Sequence, residues 1–263
     1  LDHPGIVPIF EIGEHQGQHY FSMGYIDGES LAERLKSGPL PPREAAELIS
    51  KIAEAVDYAN QQGVIHRDLK PGNILITQAG IPRITDFGLA KRIEEDSALT
   101  ATGQILGTPS FMPPEQAAGR LDVGPSADVY ALGAILYNLL TGRPPFQAAN
   151  VMDTLRQVLA RDPRAPRHLP PTVPRNLETI CLKCLSKAPE RRYESAGQCG
   201  EDIRRWLDKK PILARPLGRG ERAVQWCRRR PAVAALLAVV VLVTTVCFGL
   251  VAWQWQRAEA NYR

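Results

Sequence analysis

His66–Asn73, reading HRDLKPGN, packs a carboxylate, two cations and a neutral amide into eight residues. Asp68 offers a carboxylate in a short loop, Lys70 follows with a point positive charge, and Asn73 adds a neutral oxygen. Such a set suits a hydroxyl attacking a polyanion. Asp68 can accept the hydroxyl proton, Lys70 can meet phosphate charge, and Asn73 can help hold a hard divalent ion through oxygen. One ligand is too few for Mg²⁺. Asp86 supplies a second, 18 positions after Asp68, where the run Ile81 to Thr85 delivers its carboxylate and Gly88 leaves the backbone free to turn.

HRDLKPGN followed by Asp86-Phe87-Gly88 resembles the catalytic loop and metal-binding motif of protein kinases. The lysine two residues after the aspartate is similar to the Ser/Thr branch of that family. A lone Asp in a loop is ordinarily a turn former or a cap; the likeness rests on the ordered set in its setting of strand, loop and second strand. The resemblance covers about residues 1–207. It implies an α+β, protein kinase-like fold with a mainly helical large lobe and a remnant β-hairpin of the small lobe. It also implies MgATP-dependent phosphoryl transfer to Ser/Thr of protein substrates, with Mn²⁺ able to replace Mg²⁺. Asp68 would be the base, Lys70 would sit on the transferred phosphate, and Asn73 and Asp86 would hold the metal.

Upstream, Ile6 to Ile12 and His19 to Ile26 alternate and are joined by the polar EHQGQ, which predicts a hairpin. The preceding LDHPGI is similar to the kinase turn before the fourth strand of the small lobe. Met23 then falls at the gatekeeper position, and the backbone of Gly24 and Ile26 at the hinge that meets adenine. Gly24 departs from the family, which often has Glu there, but main-chain hydrogen bonding needs no particular side chain. Leu75, in the short apolar strand Ile74 to Ile76, resembles the residue beneath the adenine; a core leucine is the plainer reading of the same burial. No Gly-rich loop, third-strand lysine or regulatory-helix glutamate is present, and the chain opens on Leu1. It is therefore expected to be an internal, N-terminally truncated fragment with little activity by itself.

From Ser30 the apolar spacing becomes helical: Leu31 and Leu35, then, after Pro41-Pro42, Ala45, Leu48, Ile49, Ile52, Ala53 and Val56. Asp86 to Glu115 is a 30-residue stretch with little periodicity, the length of a functional loop, and corresponds to an activation segment. Within it Thr102 and then Thr100 are the expected regulatory phosphosites, with Arg67 as the cation a phosphate would pair with. Thr108 resembles the threonine that hydrogen-bonds the catalytic Asp and Lys. Met112-Pro113-Pro114-Glu115 stands where the family has Ala-Pro-Glu, and Glu115 is expected to pair with Arg192, or with Arg191 if the register slips by one. Asp128 begins an apolar helix, Val129 to Leu140. In kinases this aspartate accepts hydrogen bonds from the catalytic loop backbone, while capping its own helix is the simpler role. Residues 146–207 read as helices around a Pro-rich surface loop, DPRAPRHLPPTVP. Cys181 and Cys184 form a CxxC at helical spacing, which is read as burial on a helix face because no second Cys or His pair completes a zinc site.

The composition, 44% hydrophobic and 23% charged, fits a globular chain with a substantial core. The net charge of +4 is uneven: residues 209–230 hold eight Lys and Arg against Glu221, giving +7 there and −3 elsewhere. Next to it, Ala232 to Trp253 is a run of 22 residues without a charge, about 33 Å long as a helix, which predicts a transmembrane span over 231–253. A basic segment beside an apolar span points to anionic membrane lipid rather than to nucleic acid. The expected domains are a small-lobe remnant and hinge (1–27), the large lobe (28–207), a basic juxtamembrane segment (208–230), the span, and an extracytoplasmic stub (254–263). Arg228 to Arg230 place the kinase-like part in the cytoplasm by the positive-inside rule. A homodimer for trans-autophosphorylation fits a tethered kinase. The rival reading is a membrane-anchored pseudokinase or scaffold that binds partners without chemistry.

Overall fold

A computed structural model describes residues 1–16, 18–87, 109–120, 122–169 and 172–214. Thr100, Thr102, Thr108 and the expected span at 231–253 lie outside these residues. Among the described residues no helix is long and apolar enough to cross a membrane.

The predicted hairpin forms between β1 (Ile9–His15) and β2 (Gln18–Met23), antiparallel, with Ile12 opposite Phe21 and Ile9 opposite Met23. Its first strand starts three residues later than the alternation suggested. Ile6 instead makes a parallel bridge to Ile84, and Val7 N–H donates to Ile84 O at 2.8 Å, so residues 6–7 tie the hairpin to the second sheet. That sheet is β3 (Gly28–Ser30), β4 (Ile74–Thr77) and β5 (Pro82–Ile84), all antiparallel in that order. β3 was not legible in the sequence, since three residues are too few to show an alternation.

Ser30 then caps α1 (Leu31–Arg34), accepting from Glu33 N–H at 3.1 Å. The helical spacing of Leu31 and Leu35 supports only this one turn. It tightens into a 3₁₀ turn at Leu35–Ser37 and stops at Gly38, whose φ is 113°. α2 (Pro42–Gln61) follows, with proline at its first position, where a missing N–H is harmless, and Glu44 in its first turn. All six of its predicted apolar positions are buried.

The large lobe is organised around α4 (Ser126–Thr141), which is buried along almost its entire length. It begins two residues before Asp128 and ends at Gly142, whose φ of 74° is the left-handed conformation of a helix C-cap. Before it come a 3₁₀ turn at Pro109–Phe111 and the single-turn α3 (Pro114–Ala117). After it come α5 (Val151–Ala160), α6 (Arg175–Cys184) and α7 (Ala196–Leu207). α2 packs on α4 and α7, and α6 packs on α4 and α7. α6 comes so close to α4 that a Cβ on Gly133 would overlap that of Cys184.

Two expectations are refined by the structure. The Pro-rich connection runs over the surface, with Asp162, Arg164, Arg167 and His168 exposed, but Pro166, Leu169 and Val173 anchor it in the interior and Tyr137 Oη donates to Arg164 O at 2.9 Å. Its apolar residues reach the core that the prolines seemed to interrupt. The folded unit also continues past Leu207 through Ala214, the last described residue. Buried Asp202 accepts from the N–H groups of Leu213 and Ala214 and from Tyr193 Oη, and Ile212 enters the core. Residues 208–214 therefore belong to the folded unit and not to the basic segment.

Cys181, Cys184 and Cys199 are buried, the last two with sulfurs 3.5 Å apart, and burial pushes the thiols of Cys181 and Cys184 up. The CxxC thus lies on a packed helix face, its thiols held protonated. Gly133→Ala is expected to destabilise the fold by about 1–3 kcal/mol through overpacking, read as a lower denaturant midpoint at unchanged m-value.

Candidate active site

The loop from Val64 to Asn73 joins the end of α2 to β4, and its shape is set by bonds to distant elements. Asp128, buried in the first turn of α4, accepts from His66 N–H and Arg67 N–H, each at 3.0 Å, and from Asn60 Nδ2 at 2.9 Å. Its carboxylate is thus spent on the loop. Asn60 also donates to Val64 O at 3.1 Å, tying the last turn of α2 to the same place. Arg67 stands at φ 64°, a left-handed conformation costly to a non-glycine residue, and its bonded N–H helps hold it there.

His66 is fully buried. Its Nε2 lies 3.0 Å from Thr85 O and its ring 4.7 Å from that of Phe87. A carbonyl can only accept, so Nε2 carries the proton. Thr85 N–H in turn donates to Asn73 O at 3.0 Å. These two bonds set the end of β5, and hence Asp86, beside the loop. Asp86 also has a positive φ, 63°.

Within the loop Lys70 Nζ sits 2.6 Å from Asp68 Oδ2. Asn73 is buried, and its Nδ2 donates to Asp68 O at 2.9 Å with Asp68 Oδ2 at 3.4 Å. That bond turns the amide so that Oδ1 is the atom left for a cation. Asn73 Oδ1 and the Asp86 carboxylate are hard oxygen donors, the type Mg²⁺ takes from a protein while keeping water and phosphate as its other ligands. The sequence-predicted residues Asp68, Lys70, Asn73 and Asp86 are therefore brought together.

Of the expected nucleotide residues, Met23 lines a cavity together with Asp86, whereas Gly24, Ile26 and Leu75 are not among its lining residues. Leu75 is half-buried and points away from the core that its neighbours Ile74 and Ile76 enter, so the core-leucine reading does not hold. Met23 Sδ accepts from Thr85 Oγ1 at 3.5 Å and lines a cavity of about 220 Å³ with Ile6, Ile9, Ile84, Asp86 and Phe87. Gly24 N–H donates to Pro8 O at 2.8 Å, and a Cβ on Gly24 would lie 3.1 Å from Pro8 Cγ. The proline ring explains the glycine that departs from the family's usual Glu. Ile26 is half-buried at the end of this connection.

On the other side, Phe111, Met112 and Gln116 border Arg67 and Asp68. Glu115 meets Arg192, not Arg191: Nη1 to Oε1 is 2.6 Å and Nη2 to Oε2 is 2.7 Å. The guanidinium also donates to Ser186 O, Ser126 O and Lys187 O, so all five N–H groups are used, and it lies over the Tyr130 ring at 5.0 Å. Pro113 has φ −72°, the angle proline prefers, and stands just before α3. Proline in place of alanine is thus accommodated without strain.

The protein kinase domain family matches residues 1–202. The chain belongs to the protein kinase family. Relatives of this kinase chain include the serine/threonine-protein kinase PrkC of Bacillus subtilis, 40% identical over 210 residues, which cover 79% of this chain and 32% of PrkC. The serine/threonine-protein kinase PknB of Mycobacterium leprae is 36% identical over 208 residues, 77% of this chain and 33% of PknB. PknB of Mycobacterium tuberculosis (strain H37Rv) is 35% identical over 217 residues, 80% of this chain and 34% of that protein. The chain spans about a third of the length of these curated relatives.

Sequence reasoning gave no role to His66, Asn60 or Thr85. Only His66 fell inside a recognised motif, and nothing in the spacing of the other two marks them as partners of residues up to 68 positions away. Replacing Arg192 by Met should cost about 3–5 kcal/mol, because it leaves the Glu115 carboxylate buried and unpaired. Combining it with Glu115→Leu should recover a large part of that loss, measured as a double-mutant cycle in urea.

Proposed function

We propose that this chain is the catalytic part of a serine/threonine protein kinase that transfers the γ-phosphate of ATP to Ser and Thr hydroxyls of protein substrates in membrane-linked signalling. The observation that carries this reading is the joining of the Asp68–Lys70–Asn73 loop to Asp86 through Thr85 and His66, in a chain of the kinase family. Asp68 accepts the proton of the attacking hydroxyl, and Lys70, already against it, meets the charge of the transferred group. Asn73 and Asp86 would hold Mg²⁺, or Mn²⁺ in its place, which when bound would neutralise phosphate charge. Met23, the backbone of Gly24 and Ile26, and Leu75 take the adenine. Thr108 supports Asp68 and Lys70, and Arg67 pairs with phosphate on Thr102 or Thr100.

The membrane part of the proposal rests on residues 215–263. The basic segment would lie on anionic lipid, residues 231–253 would cross the membrane once, and the kinase domain would stay in the cytoplasm. A homodimer would let one copy modify the activation segment of another.

Both parts are tested with a full-length protein carrying these residues. With Mg²⁺ and labelled ATP, label should enter Thr102 or Thr100, Asp86→Asn should abolish it, and Asp68→Asn should lower turnover by about 10²–10⁴-fold. Absence of labelling in the unaltered protein and on basic protein substrates, with a partner still bound, would replace the enzyme by the scaffold reading. Expressed in bacteria, the protein should stay with membranes through alkaline carbonate extraction and lose that property when residues 231–253 are deleted; release of the intact protein would refute the span.

A further inference from the structure

Lys187 belongs to none of the motifs above, yet its side chain joins three segments of the large lobe. Its Nζ donates to Val158 O at 2.6 Å and stands 4.1 Å from the centre of the Phe146 ring. Val158 and Phe146 are both buried. Val158 lies in the last turn of α5, where carbonyls lack helical partners and a cation is favoured by the helix dipole. Phe146 lies in the connection between α4 and α5, so a single ammonium grips α5 at its end and at the segment leading into it. The main-chain oxygen of Lys187 accepts from Arg192 Nη2 at 3.1 Å, which joins this grip to the Glu115 ion pair.

α5 is in a position to matter. It packs against the 3₁₀ turn Pro109–Phe111 and against α3, and these two pieces, with Met112, border Arg67 and Asp68. A peptide that presents its hydroxyl to Asp68 has to lie over that floor. Resting on the kinase reading above, we infer that Lys187 is a positioning residue for protein substrate: its ammonium fixes α5 against the floor and so sets substrate affinity without touching the nucleotide.

The ammonium is also unusually easy to discharge. Burial pulls its pKa down to about 8, with Asp162 acting to raise it and Arg192 to lower it. Above that pH a neutral amine can still donate to Val158 O, but it loses its attraction to the Phe146 ring and to the carbonyl end of α5. Because burial lowers the folded-state pKa below the usual lysine value, the folded chain holds fewer protons here than the unfolded one, and the stability contributed by this site rises as pH climbs from about 8 toward the ordinary lysine range.

The test is steady-state phosphorylation of a protein substrate by the full-length protein and its Lys187→Met and Lys187→Arg variants, with thermal unfolding of each. Lys187→Met should raise KM for the protein substrate about five-fold or more, leaving kcat and KM for ATP within two-fold, and Lys187→Arg should restore most of the loss. A folded Lys187→Met variant with unchanged KM, or one that loses kcat alone, would overturn the inference and leave the kinase reading intact. An unaltered protein that transfers no phosphate would sink the kinase reading and the substrate role together. In that case faster amide exchange at 151–160 in Lys187→Met would still establish the grip on α5, and unchanged exchange would remove that as well.

Discussion

The carboxylate of Asp128 is the constraint on which the site depends. Two successive main-chain N–H groups, those of buried His66 and part-buried Arg67, turn inward near the start of the α2–β4 loop. A buried donor without a partner costs about 1–3 kcal/mol, and a carboxylate that meets both, plus Asn60 Nδ2, removes that cost with charge-assisted bonds. Asp128 is itself immobile because it sits in the first turn of α4, the most deeply buried helix described. The rigidity of the core is thereby passed to a loop that would otherwise relax, above all at Arg67 with its left-handed backbone. Asp68, the next residue, inherits its place from that bond.

A second set of bonds carries the same logic to the opposite wall. Arg192 satisfies every N–H of its guanidinium, so the charge taken out of water is fully compensated. A buried ion pair adds little net stability compared with well-packed apolar residues, but removing one side alone is expensive. What the pair provides is a definite position: it joins α3, the start of α4 and the segment 186–192 at one point. Lys187 and Tyr193 flank Arg192 in sequence, one reaching α5 and the other Asp202. A single stretch of seven residues thus connects the wall that carries Glu115, α5 and the end of the folded unit.

The two walls differ in how they were readable. On the Asp68 side the chemistry is local: four groups in eight residues, and Asp86 at the end of the next hairpin, announce themselves because a strand pair of fixed length must return the chain to its start. On the Glu115 side, pairing with a residue 77 positions away followed from family likeness, and the choice of Arg192 over Arg191 was settled only by geometry. Leu75 is an intermediate case. Its strand was plain, but a three-residue apolar run has no visible face until β3 and β5 flank it and the helices cover one side.

By itself the sequence determined the hairpin, α2, α4 and the gathering of Asp68, Lys70 and Asn73, because periodicity, proline and glycine stops and short-range spacing act within a few residues. Tertiary structure alone decided the short strand β3, the one-turn limit of α1, the anchoring of the Pro-rich connection by Pro166, Leu169 and Val173, the continuation of the folded unit past Leu207, and the partners of His66, Asn60, Thr85 and Lys187. Each depends on a partner brought near by the packing of other elements. Hydrogen bonds such as Asn60 to Asp128 or Lys187 to Val158 leave no periodic trace in the chain, since their strength comes from burial that only the assembled core creates.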